Sequence, residues 1–476
     1  MKKIDKLFGL FMLLLFLSDI ALGQSVWKTK PSGWQLITDA QRQEVFGLNE
    51  DYKEYLRAAK TELSSTREVV RLAKAVGFVE YSKPDQVKPG AKLIFNNRDR
   101  AVALLLIGKE PVKSRSHLIG THHDNPRIDV KARPMYESHG FVLFKTIYHG
   151  GIKKYQWANI PLALDGRIDL KDGRTIIVEM GKDPEDPIFL IADVAPHSDA
   201  PYRSRTYTNV IAGEELNPIV GSIPDTEGSV FNGTLKAIFK KYGINEEDFV
   251  SAELSFVPAV SPRDAGFDRG LTAAFGQDDR LSSYIAVRAV TDLKQTPEYT
   301  AIAYLTDNEE SGSNNNTGAA SVYLNNFYAT LVSVQEGKAY SDTDTRKALS
   351  NAQVISADVN DGVNPIFLEG SELTNTAELG YGVAIKRYGR GFDANSEFTA
   401  HIRKLLDENN IPYQTHTYKV DVGSGGTIGV FLSREDMEVI DLGVPILSMH
   451  SPYELSSKVD VWNFYRLMMA FYQQTN

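Results

Sequence analysis

Apolar positions along this chain follow two rhythms. In three stretches they recur at helical steps, which places them on one face of a 3.6-residue period. Leu281, Ile285, Ala289 and Leu293 form the first set, and Phe398, Ile402, Leu405 and Leu406 the second. Val461, Phe464, Met468 and Phe471 form the third, in a helix that closes the chain. Residues 39–76 also read as helical, and "STRE" at Ser65–Glu68 matches a capping box, with Leu72 and Val76 continuing that face. Elsewhere the apolar residues are contiguous. "GAKLIFNN", "AVALLLIG", "SHLIGTHH", "AIAYLTD" and "VPILSMH" read as strands, and runs such as "LLLIG" suit strands covered on both faces. Alternating strands and helices predict an α/β fold, a mixed sheet sandwiched by helices.

Between residues 131 and 260 the texture changes. "FVLFKTIYH", "TIIVEM", "PIFLIADV" and "VSAELSFV" are short strand-like pieces separated by Gly, Pro and Asp turns. They predict an inserted β-rich domain. The expected organisation is a leader at 1–23, a first catalytic part at 24–130, the insertion at 131–260, and a second catalytic part at 261–476.

Composition narrows the chemistry. The 476 residues carry a net charge of −9 and no basic run stands out, which argues against a nucleic-acid partner. There is no cysteine, so disulfides, thiol nucleophiles and thiolate metal sites are excluded. Lys2, Lys3 and Lys6 precede the apolar run "LFGLFMLLLFL", and small residues Ala21 and Gly23 precede Gln24. This is the pattern of an export signal and predicts a secreted or periplasmic protein. The run is short for a membrane span, and no second candidate follows, so no stable span is expected after cleavage.

Five strand ends carry His or carboxylate: His122 and Asp124 in "THHDNP", Asp278 in "QDDR", Glu309 and Glu310 in "DNEESGS", Asp358 in "SADVND", and His450 in "LSMHS". Each fragment alone has an ordinary explanation as a solvated turn or a helix cap. In open α/β sheets, however, sites collect beyond the carboxyl ends of strands. Two His, a spare Asp and two terminal carboxylates suit a pair of divalent ions sharing one carboxylate. Mixed His and carboxylate donors favour Zn²⁺, with Mn²⁺ or Co²⁺ as substitutes. On that reading Glu310 is a ligand and Glu309 the general base, while Asp124 orients the His122 imidazole.

These motifs, with "YHGG", "QWANIPLALDGRI", "GSGGTIG" and "KTE" near Lys60, run in order along nearly the whole chain. Together they resemble the aspartyl aminopeptidase and vacuolar aminopeptidase I family of zinc metallopeptidases, in its bacterial aminopeptidase 1 branch. The resemblance implies release of the N-terminal residue from peptides and an insertion that mediates dimerisation. It also implies homo-oligomers, typically dodecamers built from dimers. It implies two Zn²⁺ per subunit, with His122 and Asp358 on one ion, Glu310 and His450 on the other, and Asp278 as bridge. His197 resembles a family histidine that reaches the neighbouring subunit's site. Lys386 and the loop containing Gly425 and Gly426 resemble substrate-binding positions. The chain departs from the acidic-specific members at Asp361 and Asn364, where those carry His, and at Tyr453, where they carry Arg. Asp361 in the side-chain pocket would favour neutral or basic substrates over acidic ones.

Overall fold

The structure is a computed structural model that describes residues 30–389 and 391–475. The export-signal reading falls on residues 1–23, outside the described part. No helix among the described residues is long and apolar enough to cross a membrane.

A nine-stranded mixed sheet forms the centre. Its middle is four parallel strands in the order Thr300–Thr306, Ser116–His122, Ala352–Ala357 and Glu438–Gly443. Every residue of the first two is buried, as expected of contiguous apolar strands covered on both faces. Helices Asp39–Ala58, Glu62–Ala75, Gln277–Asp292, Ser396–Glu408 and Lys458–Tyr472 pack one face. Tyr323–Glu336, Asp342–Ser350 and Gly429–Ser433 pack the other. All the periodic positions singled out above in the three helical stretches are buried. Each large side chain so buried contributes roughly 1.5–3 kcal/mol relative to exposure.

The predicted helix over 39–76 is two helices, interrupted at Ala59–Thr61. Thr61, not Ser65, caps the second, accepting the backbone N–H of Ser64. Ser65 lies inside that helix, fully buried, and bonds Tyr55 Oη at 2.7 Å and His123 Nδ1 at 3.0 Å. Tertiary partners have claimed a side chain whose local pattern favoured a cap. Val76 lies exposed at that helix's end.

A separate six-stranded antiparallel sheet takes its strands from residues 127–258, with its own core around Ile128, Phe144, Leu164 and Phe256. Its first strand, Arg127–Ser138, begins ahead of the boundary expected at 131. "PIFLIADV" forms only isolated bridges at Phe189 and Leu190, and a helix at Val230–Tyr242 covers part of the sheet.

A third, five-stranded sheet joins Arg263–Ala265, Leu271–Ala274, Glu454–Ser457, Pro445–Leu447 and Asn360–Asp361. Asp278 and His450 therefore do not stand at ends of the central sheet, as the sequence suggested. They flank this smaller sheet, which sets them against the central strands' carboxyl ends.

Candidate metal centre

His122 is the last residue of its strand, and Asp358 follows the adjacent parallel strand directly. Glu309 and Glu310 sit in a short helical turn just past Thr300–Thr306, entered through Asn308 in a left-handed conformation (φ 63°). Asp307 fixes the polar loop that follows: its Oδ2 accepts from Asn315 Nδ2 at 3.0 Å and Thr317 Oγ1 at 2.7 Å. The side-by-side glutamates are thus held on a stapled turn, not in a free loop.

Asp278 stands between two groups. One of its oxygens is 3.3 Å from His122 Nε2, and the other is 3.1 Å from His450 Nε2. Asp358 Oδ1 approaches His122 Nε2 at 3.7 Å, and Glu310 Oε2 approaches His450 Nε2 at 3.4 Å. His122, Asp278 and Asp358 form one cluster of candidate ligands, and Asp278, Glu310 and His450 a second, each with its donor atoms within 4.8 Å of one another. Both imidazoles are oriented from behind. Nδ1 of His122 lies 3.1 Å from the carbonyl and 3.3 Å from Oδ1 of Asp124, and Nδ1–H of His450 donates to the Gly151 carbonyl at 2.7 Å. That leaves the Nε2 lone pairs aimed at carboxylate oxygens.

The donor set fits divalent cations. Lone pairs and carboxylates crowd together, which costs free energy unless positive charge lies between them. Glu310 Oε1 is buried without a hydrogen-bond partner. Burial and the adjacent acids push Glu310 well above the usual carboxylate range. His450 rises to about 11 despite its burial, because Glu310 and Asp278 stabilise its protonated form. Glu309 differs from its neighbour: its side chain is 23% exposed against 4% for Glu310. Burial, opposed by His122 and reinforced by the surrounding carboxylates, raises it to about 7.

Asp124 has both oxygens engaged. The backbone N–H groups of Glu309 and Glu310 donate to it at 2.9 and 3.2 Å, and His149 Nε2–H donates to Oδ2 at 3.0 Å. These partners and His122 hold its carboxyl below the usual range although burial opposes ionisation.

A cavity of about 330 Å³ opens onto Asp278, Glu309, Glu310, Asp358 and His450. Lys386, Gly425 and Gly426 line it. Lys386 is buried and its Nζ donates to the carbonyls of Asp358 and Val359 at 2.9 and 3.3 Å. Asp361 is exposed on its short strand, with Lys153 as its charged neighbour. His197 is exposed and does not join the cluster within one chain. His123 turns away, towards Ser65 and the Arg100 carbonyl.

Such a pairing of clusters calls for comparison with known proteins. The family model for aminopeptidase I zinc metalloproteases (M18) matches residues 55–472. The chain belongs to the M18 family. It is a metallo-aminopeptidase of the zinc-dependent class. A probable M18 family aminopeptidase 1 of Borrelia garinii is 39% identical over 456 residues, covering 94% of this chain and 100% of that protein. The crystal structure of an M18 aminopeptidase from Thermotoga maritima superposes with a TM-score of 0.88 at 36% identity, over 94% of this chain and all of that one. A Saccharomyces mApe1 dodecamer shares the fold (TM-score 0.74, 20% identity, 90% of this chain and 96% of that one).

Three residues around this cluster escaped the sequence reading. His149, in "YHGG", donates to Asp124. Glu454, in "HSPYE", is fully buried and accepts the N–H groups of Gln277 at 2.5 Å and His450 at 2.8 Å, tying the Asp278 and His450 turns together. Tyr418 lines the cavity, its ring edge-on to His416. Each stood close to a quoted motif, but only the folded chain reveals what it touches.

Proposed function

We propose that this enzyme releases the N-terminal residue of peptides at a centre of two zinc ions, for which Mn²⁺ or Co²⁺ can substitute. The observation that carries the reading is Asp278, whose two oxygens each face the Nε2 of a different histidine. His122 and Asp358 would hold one ion, Glu310 and His450 the other, and Asp278 both. When bound, the ions polarise the scissile carbonyl and lower the pKa of a water.

The chain supplies the rest. Glu309, more open than Glu310 and raised to about 7, accepts a proton at its carboxylate and passes it to the leaving amine. Asp124 holds the backbone of both glutamates and the His122 ring. Gly425 lets its loop pass against the Tyr418 ring, where a Cβ would stand 2.7 Å from Oη, and with Gly426 it forms cavity wall against which substrate would lie. The Lys386 ammonium is spent on two backbone carbonyls, so it is a poor anchor for an acidic side chain. With Asp361 adding negative charge close by in the chain, neutral or basic N-terminal residues are preferred.

The protein would act as a homo-oligomer, dimers assembling into a dodecamer. Exposed apolar residues of the inserted region, among them Tyr148, Ile188, Val194, Tyr207 and Val210, supply contact surface. His197 would then complete a neighbour's site. With its leader removed, the protein would work outside the cytoplasm, on environmental peptides.

The test is hydrolysis of Leu, Lys, Asp and Glu nitroanilides, with N-acetyl-Leu nitroanilide as control. Chelator-sensitive cleavage of the free amines alone supports the reading. Cleavage of the acetylated substrate overturns it.

A further inference from the structure

The strand Phe141–His149 belongs to the inserted sheet, yet its last residue and the two glycines after it reach the metal centre. His149 is paired across the ladder with Arg127, three residues after Asp124, which fixes its position relative to that carboxylate. Its side chain is only 10% exposed. Nε2–H donates to Asp124 Oδ2 at 3.0 Å, and Ser311 Oγ–H, beside Glu310 in sequence, donates to Nδ1 at 3.1 Å. Gly150 has φ +72°, and a Cβ there would stand 3.0 Å from Glu310 Oε2 and 3.2 Å from Glu310 Cβ. The Gly151 carbonyl accepts the Nδ1–H of His450. Three consecutive residues at the end of this strand therefore touch the supports of both candidate ion positions.

We propose that His149–Gly150–Gly151 is a positioning clamp through which the inserted sheet sets the geometry of the metal centre. This rests on the two-ion reading above. His149 holds Asp124, and Asp124 in turn holds the Glu309–Glu310 backbone and the His122 ring. Gly150 allows the chain to pass close against Glu310. Gly151 fixes the His450 tautomer that presents Nε2. His149 is a positioning residue: it touches none of the candidate ligand atoms itself. The inserted sheet is thereby part of the catalytic apparatus as well as a surface for assembly. Anything that displaces its edge should be felt as a loss of metal.

The experiment titrates the metal-stripped full chain with zinc against a competing chelator, without substrate, for wild type, His149→Ala, His149→Gln and Gly150→Ala. Thermal melting of each metal-free chain is measured alongside. Orienting partners of ligands are worth 10–100-fold in metal affinity. His149→Ala and Gly150→Ala should weaken zinc by about that factor. His149→Gln, whose side-chain amide can still donate to Asp124, should recover most of the loss. In the steady state, His149→Ala should lower kcat more than it raises KM. Zinc affinity within twofold of wild type for His149→Ala, or no rescue by Gln, overturns the clamp. So does a loss matched by a drop in the metal-free melting temperature, which marks a purely structural role. A wild-type chain that fails to bind zinc overturns the two-ion reading and the clamp together, whereas normal wild-type binding with an indifferent His149→Ala overturns the clamp alone.

Discussion

Asp124 Oδ1 accepts the backbone N–H of Glu309 at 2.9 Å, so the residue beside one candidate ligand also aims the proposed base. Its other oxygen takes the N–H of Glu310 and the ring of His149. Every partner on these two oxygens is a donor. An amide at this position would point an NH₂ at one of them. Asp124→Asn should therefore cost about 10–100-fold in zinc affinity or kcat/KM. Zinc competition and steady-state kinetics on the same preparation check this, and a variant with unchanged values for both would contradict it.

Glu309→Gln removes the proton acceptor and leaves both ligand clusters intact. The expected loss in kcat is about 10²–10⁴-fold, with zinc content unchanged. The base works only when ionised, so activity should fall as pH drops through its pKa. Burial raises that pKa to about 7, and bound cations would move it lower, because they favour the carboxylate. The acid limb of the wild-type kcat/KM profile should accordingly lie below pH 7 and be absent from the variant's residual rate. A variant that keeps the wild-type acid limb assigns it to another group.

Substrate choice tests the cavity wall. Lys386 is engaged by two carbonyls, and the exposed Asp361, three residues beyond Asp358, adds negative charge nearby. Leucyl and lysyl nitroanilides should exceed the glutamyl substrate in kcat/KM by about tenfold or more, one charge-assisted contact being worth roughly 1.5–3 kcal/mol. Asp361→Asn should lower the lysyl-to-leucyl ratio and leave the leucyl rate in place. A faster glutamyl substrate would contradict the assignment.

At the other end of the strand from His122, His117 is fully buried, with ring contacts to Tyr299 and Phe471. Burial, with Arg115 nearby, lowers it to about 3. A histidine depressed in the folded state stays neutral there while the unfolded chain takes up a proton below about 6.5. The native state therefore loses stability as pH falls from about 6.5 towards 3. Between pH 6.5 and 5 this one group accounts for about 1.6 kcal/mol. His117→Phe should show a correspondingly flatter decline in urea-unfolding free energy over that interval. An identical decline in both proteins would contradict it.

What could be read from sequence divides along physical lines. The central strands are contiguous apolar runs, and His122, Glu309, Glu310 and Asp358 follow them directly, so a rule about strand ends located all four. Asp278 and His450 flank a five-stranded sheet whose strands Asn360–Asp361 and Arg263–Ala265 are too short to leave a hydrophobic pattern. The strand-end rule named both residues too, but nothing local to them announced that they flank a second sheet. Ser65 carried a valid capping signal, and burial against Tyr55 and His123 overrode it. His149 and Glu454 act through contacts that span 25 and 177 residues of sequence, and no local pattern encodes such a partner.

The central claim is that Asp278 joins two metal positions. The most direct measurement is the zinc content of the purified chain, loaded with zinc and freed of unbound metal by gel filtration, for wild type, His122→Ala and Glu310→Ala. The account predicts two zinc ions per wild-type chain and a reduced content in each variant, with the loss falling on a different ion in the two. A single zinc in the wild type, removed equally by either substitution, would contradict it.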